Sequence, residues 1–391
     1  MRQAAQKQLL RVNSLLEGGD SKNDSFLSGK LGLIFYYFHL YRVTGESYYN
    51  EMGDKLLENV FRDLNSGHPR LIGASFSSGG SGLGYVMNFL NEKNLVAFDV
   101  ESEFVELDQF LFEMAFHQME EDFIDYLHGA LGVVHYFSER KPSPVIDDYL
   151  DRLVGKLFTR VIMKDAGYWF RNYFLKVDED KESINFGLAH GLSGILLILL
   201  KVYHRSSHKE MIKKIVLEGI RFIRKYKMDI DFSNEEYSFF PFIIKTGANE
   251  ISAPNRLGWC YGDLNEVLLF YRAGKLFDDN ELIDVADVIG SMTIMRKDAV
   301  STLVADSNFC HGTSGLAQFY RKIYDDSGLE MYKEAYEYWI GQTIVRLDKD
   351  LEDGIYAGKE HDMLDGLIGV AFSLLSYVSD RELDWSRSLL L

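Results

Sequence analysis

The chain has 391 residues, 47% of them hydrophobic, and a formal charge of −17 at pH 7. This apolar fraction is enough for a large core and excludes a disordered chain, while the negative charge disfavours nucleic acid as a partner because phosphates would be repelled. The length suits two average domains or one large repetitive domain.

The first twenty residues, "MRQAAQKQLLRVNSLLEGGD", contain no apolar stretch followed by a small-residue cleavage site, so we expect no signal peptide. No run of about 20 apolar residues lacks charges or glycines, so we expect no membrane span. The two cysteines, Cys260 and Cys310, cannot form a disulfide framework. We therefore expect a cytoplasmic protein with reduced thiols.

A glycine pattern recurs along the whole chain. Gly-x-x-Gly precedes an apolar run, as in "GKLGLIFYYFHLY", and a degenerate copy has Asn265 in place of the second glycine. Successive copies begin 50 to 71 residues apart, which is enough for two helices and their connections. The first glycines of the copies are Gly29, Gly79, Gly129, Gly191, Gly262, Gly312 and Gly366.

The segments between the copies predict a second, amphipathic helix in each unit. In "HKEMIKKIVLEGIRFIRKY", residues 208–226, one stripe at helical spacing is apolar and the opposite face is basic. The stripe consists of Ile212, Ile215, Val216, Gly219, Ile220 and Ile223. Residues 176–182, "KVDEDKE", predict a solvated loop, and residues 228–255 predict an extended insertion.

Alternating apolar and amphipathic helices predict helical hairpins that either stack as an open solenoid or close into a ring. The terminal copies are as apolar as the middle ones, which favours the ring. We expect an all-α fold, a closed α/α toroid (double barrel) of seven helical hairpins, forming a single domain over residues 1–391. The inner helices would begin at the Gly-x-x-Gly motifs, so that their N-termini face one common cavity.

Helix N-termini favour thiolates and other anions, so the residues before the glycines are candidates for a site. Reactive residue types occupy these positions in four consecutive repeats. They are Asp122, Asp125, Tyr126 and His128; then His190; then Arg256, Trp259, Cys260 and Tyr261; then Cys310 and His311.

Cys260, Cys310 and His311 predict a zinc site with two thiolates, one imidazole and an open fourth position, which is typical of a catalytic centre. The alternative is that both cysteines are small buried hydrophobic residues and that His311 caps a turn. The equivalent positions of the two cysteines in adjacent repeats favour the metal site.

The remaining candidates have structural alternatives. His190 can be a turn histidine, Asp125 a helix N-cap, and Arg256 a partner of surface acids. Asp122 next to Asp125 keeps open a second hypothesis, an α/α-barrel glycosidase with paired carboxylates. That hypothesis gives both cysteines and His311 no role.

The motifs "LAHG" at 188–191, "RLGWCYG" at 256–262 and "CHG" at 310–312, together with the repeats, resemble the lanthionine synthetase C-like (LanC-like) family of lanthipeptide cyclases. The resemblance implies a seven-fold α/α toroid with one central Zn²⁺ held by Cys260, Cys310 and His311. It also implies four catalytic positions, with His190 as the acid/base. The other three are Asp125, for which Asp122 is an alternative, Arg256 and Tyr261.

The implied activity is that of a lanthionine synthetase of the carbon–sulfur lyase class. The enzyme would add a cysteine thiolate to dehydroalanine or dehydrobutyrine and so form (methyl)lanthionine rings in a lantibiotic precursor. The implied partners are a dehydrated precursor peptide, with leader and core, and a separate dehydratase. The implied location is the cytoplasm, with room for contact with a membrane-associated biosynthetic complex.

Two alternatives use the same site. One is the addition of glutathione or another thiol to dehydrated residues, which increases the mass of the substrate whereas ring closure does not. The other is a non-catalytic zinc-bearing scaffold that binds peptide.

Overall fold

Helices of two kinds alternate along the chain, one buried and one amphipathic. The computed structural model describes residues 1–18, 21, 23–66, 70–171, 183–245, 250–381 and 383–391, so the loop predicted at 176–182 lies outside the described residues. The helices are α1 (Arg2–Glu17), α2 (Lys30–Thr44), α3 (Ser47–Asn65), α4 (Gly80–Glu92), α5 (Val100–Glu103), α6 (Val105–Glu120), α7 (Ala130–Glu139), α8 (Pro144–Phe158), α9 (Leu192–Val202), α10 (Lys209–Lys225), α11 (Asp263–Phe277), α12 (Asn280–Ile294), α13 (Ala299–Thr302), α14 (Thr313–Ser327), α15 (Glu330–Glu352) and α16 (Leu367–Ser379).

Short strands occur beside the helices. Strands β1 (Val161–Lys164) and β2 (Gly167–Phe170) form an antiparallel hairpin that packs on α10. Strands β3 (Ser183–Asn185), β4 (Ile243–Lys245) and β5 (Glu250–Ser252) form a three-stranded antiparallel sheet in the order β3-β4-β5. Two 3₁₀ helices cover Phe232–Asn234 and Asp384–Leu389.

The buried helices form a closed ring. Each of α2, α4, α7, α9, α11, α14 and α16 packs on the next, and α16 packs on α2. The first helix, α1, packs on α16 and on α15, so that the two ends of the repeat array also meet in the outer layer. The prediction of a closed α/α toroid is confirmed. Among the described residues, no helix is both long and apolar enough to cross a membrane.

The outer helix α10 illustrates why the second helix of a unit lies outside. Its buried residues are the six predicted ones together with Phe222. Gly219 on its inner face lies against Leu196 of α9, where an added Cβ would come within 2.7 Å of Leu196 Cδ1. The amphipathic pattern therefore predicted both the helix and the face that packs on the inner ring.

The second glycine of each Gly-x-x-Gly lies against a backbone carbonyl. A Cβ added at Gly315 would lie 1.8 Å from the carbonyl oxygen of Phe309, six residues earlier, and at Gly194 it would lie 2.0 Å from that of Leu188. The same six-residue relation holds at 1.8 to 2.7 Å for all six intact copies. These copies have their second glycines at Gly32, Gly82, Gly132, Gly194, Gly315 and Gly369. Any side chain would push the inner helix away from the loop that precedes it.

Backbone hydrogen bonds connect these loops to one another around the mouth of the ring. We call this set the loop belt. Its N–H···O=C distances range from 2.7 to 3.4 Å. The bonds run from Phe26 and Leu27 to Ser77, from Ser77 to Leu127, from Ala189 to Cys260, from Trp259 and Cys260 to Cys310, from Phe309 and Cys310 to Leu364, and from Met363 to Leu27.

Asn265 replaces the second glycine at the start of α11, and its side chain is fully buried. Its Nδ2 donates to the carbonyls of Gly258, at 3.3 Å, and Trp259, at 3.2 Å, while its Oδ1 accepts from Leu188 N at 2.9 Å. Trp259 is again the residue six positions earlier, so a hydrogen bond replaces the close contact made by glycine elsewhere. The first glycine of this copy, Gly262, adopts φ +124°, unlike those of the other copies.

We predict that Gly315→Ala destabilises the protein by about 1–3 kcal/mol, the usual cost of forcing extra volume into a packed site. Its methyl group would overlap the Phe309 carbonyl next to Cys310. Urea unfolding followed by circular dichroism measures the change. The matched control is Gly341→Ala on α15, where the new methyl meets only the Met1 sulfur at 3.5 Å. The control should be neutral or more stable by up to about 1 kcal/mol, and equal effects of both substitutions would contradict the prediction.

Candidate active site

Two cysteines and one histidine converge at the mouth of the ring. One ligand atom from each of Cys260, Cys310 and His311 lies within 4.8 Å of the other two. Both cysteines are free and partly exposed. A site with two thiolates and an imidazole suits zinc or another soft divalent metal, so this group can hold such an ion.

The loop belt is the reason why these residues meet. Cys260 and Cys310 each stand two positions before the first glycine of their copy. The N–H groups of Trp259 and Cys260 both point to the Cys310 carbonyl, at 2.8 and 3.4 Å. Equivalent positions in adjacent loops are thus joined directly, which places the two thiols side by side.

Hydrogen bonds connect the two thiols and the imidazole and shift their pKa values. Hydrogen bonds from Cys310 and His311, with a smaller effect of the Arg256 charge, lower the pKa of Cys260 in spite of its burial. The same contact with Cys260 and the burial of the thiol raise the pKa of Cys310, and hydrogen bonding to Cys260 raises that of His311. These hydrogen bonds favour the thiolate form of Cys260 and the protonated form of His311.

Polar residues hold His311 in place. Its backbone N–H donates to Asn308 Oδ1 at 3.0 Å, and Asn308 Nδ2 lies 3.4 Å from the ring nitrogen Nε2. Asn308 is itself fixed by both carboxylate oxygens of Asp306. On the other side, Asp365 Oδ1 lies 3.9 Å from His311 Nδ1. Such outer contacts orient a metal-ligating histidine. No role was predicted from the sequence for Asn308, Asp306 or Asp365.

His190 pairs with Asp125 across two repeats. The distance from His190 Nδ1 to Asp125 Oδ2 is 2.7 Å, and Asp125 is fully buried. The other oxygen, Oδ1, accepts from the N–H groups of Leu127 and His128 at 2.9 and 2.8 Å. The pair spans the junction of the Leu127 and Ala189 loops, and the adjacent bond from Ala189 N to Cys260 O connects it to the loop that carries Cys260.

A second imidazole, His128, lies parallel to His190. The ring planes differ by 12° and their centroids are 5.8 Å apart. Ser77 Oγ contacts His128 Nδ1 at 2.9 Å, and burial lowers the pKa of His128. The sequence placed His128 directly before Gly129, but a single histidine there gave no signal for the stacked pair.

Arg256 and Tyr261 lie in the loop that carries Cys260 and contact each other. Arg256 Nε donates to the Tyr261 hydroxyl at 2.8 Å, so among the described residues Arg256 binds Tyr261 and not a surface acid. The Tyr261 ring stacks on Phe242, with centroids 4.0 Å apart, which connects the site to the β3-β4-β5 sheet. The alternative aspartate, Asp122, instead forms an ion pair with Arg160 at 2.5 Å. Asp125 is therefore the carboxylate that contacts His190.

Residues 384–391 fill the interior of the ring below the site. Trp385 stacks on Phe372 and contacts the edge of Phe309, the residue before Cys310. The carbonyl of Leu389 accepts from Trp259 Nε1 at 2.9 Å, and that of Ser388 accepts from the Tyr126 hydroxyl. The burial of this segment was not predicted, although "LDWSRSLLL" is an apolar stretch outside the repeats that signals burial.

The structure is a ring of seven helical hairpins, with a Cys–Cys–His group at the end where the inner helices begin. These features define the class of this protein: an α/α toroid with a candidate metal centre. The chain belongs to the lanthionine synthetase C-like protein family, whose model matches residues 20–390.

Two relatives extend the comparison. The structure of nisin cyclase superposes with a TM-score of 0.77 and 18% sequence identity, covering 99% of this chain and 96% of that one. The nisin biosynthesis protein NisC of Lactococcus lactis subsp. lactis is 26% identical over 170 residues. That alignment spans 39% of this chain and 37% of the relative. The structural match confirms the toroid fold.

We predict that in the metal-free protein Cys260 is alkylated by iodoacetamide well below pH 8.5, the usual pKa of a free thiol, while Cys310 is not. The hydrogen bonds that lower the pKa of Cys260 keep it a thiolate as the pH falls. Peptide mass mapping after labelling at a series of pH values measures both sites. In Cys310→Ala one of these bonds is lost, so the labelling midpoint of Cys260 should move to higher pH. Equal labelling of both cysteines in the unmodified chain would contradict the prediction.

Proposed function

We propose that this protein is a zinc-dependent lanthionine synthetase. It adds a cysteine thiol of a dehydrated peptide to dehydroalanine or dehydrobutyrine and closes a thioether ring. The observation that carries the proposal is that the loop of the Cys260 thiol, which lies with Cys310 and His311, is hydrogen-bonded to the loop of His190, which pairs with Asp125. Family membership and the names of the two relatives support it.

Cys260, Cys310 and His311 would hold the zinc ion, since their donor atoms lie within 4.8 Å of one another and match the ligands zinc prefers. Zinc bound there would lower the pKa of a substrate thiol, which is mostly protonated at neutral pH. As thiolates, Cys260 and Cys310 supply two negative charges that balance a divalent ion. This balance would keep the substrate sulfur electron-rich and nucleophilic.

His190 is the proposed acid/base. Asp125 accepts a hydrogen bond from the protonated Nδ1, which makes Nε2 the basic nitrogen of the neutral ring. The substrate S–H bond breaks, the sulfur bonds to the β-carbon, and the electron pair of the double bond moves to the α-carbon and its carbonyl. His190 takes the thiol proton and returns a proton to the α-carbon, so the mass of the peptide is unchanged. General acid–base catalysis of this kind contributes about 10²–10⁴-fold.

Arg256, held by Tyr261, is proposed to stabilise negative charge that forms on the substrate. The guanidinium lies close enough to the thiols for its charge to lower the pKa of Cys260, and its bond to Tyr261 fixes its direction. An oriented guanidinium close to the thiols can stabilise the negative charge that develops on the substrate carbonyl during attack.

The proposed substrate is a precursor peptide, with leader and core, that a separate dehydratase has already modified. This assignment rests on the names of the relatives and on the family. We further propose that the reaction takes place in the cytoplasm, where free cysteine thiols persist.

Removal of one ligand tests the metal centre. We predict about one equivalent of zinc in the unaltered protein and a large loss in Cys310→Ala, because two ligands bind zinc far more weakly than three. Metal analysis after exhaustive dialysis measures both. The control is Ser314→Ala, a buried residue of the same loop and helix start that offers no metal ligand. Retention of full zinc content by Cys310→Ala would exclude this centre.

Substitution of His190 tests catalysis separately. We predict that His190→Asn keeps about one equivalent of zinc but cyclises a dehydrated peptide about 10²-fold or more slowly. His204→Asn, at an exposed histidine, is the control. The assay counts free thiols by alkylation and records the peptide mass. Loss of the thiol without a mass change supports ring closure, and a gain in mass with added glutathione indicates the intermolecular reaction. Bound zinc without any loss of thiol indicates a binding scaffold.

A further inference from the structure

A cavity of about 490 Å³ opens at the end of the ring opposite the metal centre. It is lined by the last two turns of α9, by the C-terminal part of α11, by Asp326 of α14 and by the segment 387–391. Lys201 stands ten residues after Gly191, which corresponds to about 15 Å along the helix axis. The cavity and the metal centre are therefore separate sites, with residues 384–391 between them.

The lining combines apolar and cationic side chains. Half of the ten lining residues are leucines, and four are the cations Lys201, Arg272, Lys275 and Arg387. Cavities of about 300–1,000 Å³ with mostly apolar walls and a few fixed polar groups are typical of small-ligand sites.

Side-chain carboxylates form ion pairs with some of these cations, and in the described part of the chain Lys275 has none. Glu139 pairs with both Lys201 and Arg387, and Asp326 pairs with Arg272 at 3.2 Å. Among the described residues Lys275 takes part in no ion pair. Two side-chain carboxylates thus form ion pairs with three of the four cations, and Asp384 and Glu92 act on Arg387 at longer range.

The helix dipole is an alternative explanation for the cations in the cavity lining, since it stabilises positive charge at helix C-termini. Lys201 and Lys275 lie in the last turns of α9 and α11 and fit that explanation. Arg272 lies five residues before the end of α11, and Arg387 belongs to no inner helix. The dipole effect fades within one turn, so it does not account for these two cations.

The burial of Lys201 is a further reason to expect an anion in this cavity. Lys201 is largely enclosed, and this burial lowers its pKa to about 8 although Glu139 acts in the opposite direction. Its amino group also contacts His135 Nδ1 at 3.2 Å, and burial keeps that imidazole neutral by lowering its pKa. A further anion in the cavity would stabilise a lysine that its surroundings leave only partly compensated.

We propose that this cavity binds a small amphiphilic anion, a medium-chain carboxylate. The carboxylate would lie against Arg272, Lys275 and Arg387, and the hydrocarbon chain against the leucines. This site is independent of the proposed cyclase chemistry, because it shares no residue with the metal centre or with the Asp125–His190 pair.

Isothermal titration of the zinc-loaded full chain with decanoate, below its micelle concentration, tests the proposal. We expect saturable binding of one decanoate per chain. Decyltrimethylammonium, with the same chain and the opposite charge, and propionate, with the charge but a short chain, should each bind at least tenfold more weakly. Equal binding of decanoate and decyltrimethylammonium, or no saturable binding of decanoate, would overturn it.

Two variants locate the binding. Arg387→Gln and Lys275→Gln should each weaken decanoate binding about tenfold, the effect of losing one charge-assisted contact. Lys275 is exposed, so its substitution does not threaten folding, and Lys214→Gln on the outer face of α10 is the matched control. If neither variant differs from the control, decanoate binds elsewhere and the proposal is wrong.

Discussion

The close approach of a glycine Cα to a carbonyl six residues earlier determines how every intact unit of the ring begins. At Gly315 and Gly194 the space for a β-carbon is already taken by the preceding loop. This contact forces the loop to fold back over the start of its own helix, and the folded loops then reach their neighbours by backbone hydrogen bonds. Because backbone groups make these bonds, the belt holds the same register in repeats whose sequences differ. The side chains two positions before each glycine therefore meet in a fixed order, and two of them are Cys260 and Cys310.

In the unit that carries Cys260, a hydrogen bond replaces the glycine contact that holds the loop against the start of its helix. Asn265 cannot approach the Trp259 carbonyl as glycine does, so its amide bonds to that carbonyl, and Gly262 takes a backbone conformation that favours glycine. The side chain also reaches Leu188, two residues before His190. Asn265 thus joins the loop of the proposed acid/base to the loop of the proposed metal ligand Cys260, and the belt does so again through Ala189. This departure from the repeat therefore supplies an extra hydrogen bond between two parts of the site.

Periodicity made much of this architecture predictable. The glycine motif marked the start of every inner helix, and the apolar stripe of α10 gave its buried face. The adjacency of Cys260, Cys310 and His311 followed once the repeats were taken to be equivalent. Contacts that break the repeat were not predictable, because no second copy indicates them. The stacked His128 and His190 rings and the bond between Arg256 and Tyr261 depend on side chains that occur in one unit each.

The contacts of residues 384–391 were likewise not predictable from the repeats, although this segment touches several parts of the structure. These residues follow the last repeat, yet they contact the residues beside three site positions: Phe309 beside Cys310, Trp259 beside Cys260 and Tyr126 beside Asp125. The same segment forms part of the cavity at the other end through Arg387 and Leu390. Leu389 bonds to Trp259 and Leu390 accepts from Arg272, so two successive carbonyls connect the segment to both ends of the ring. A change in its position would alter the support of the thiols and the shape of the cavity together.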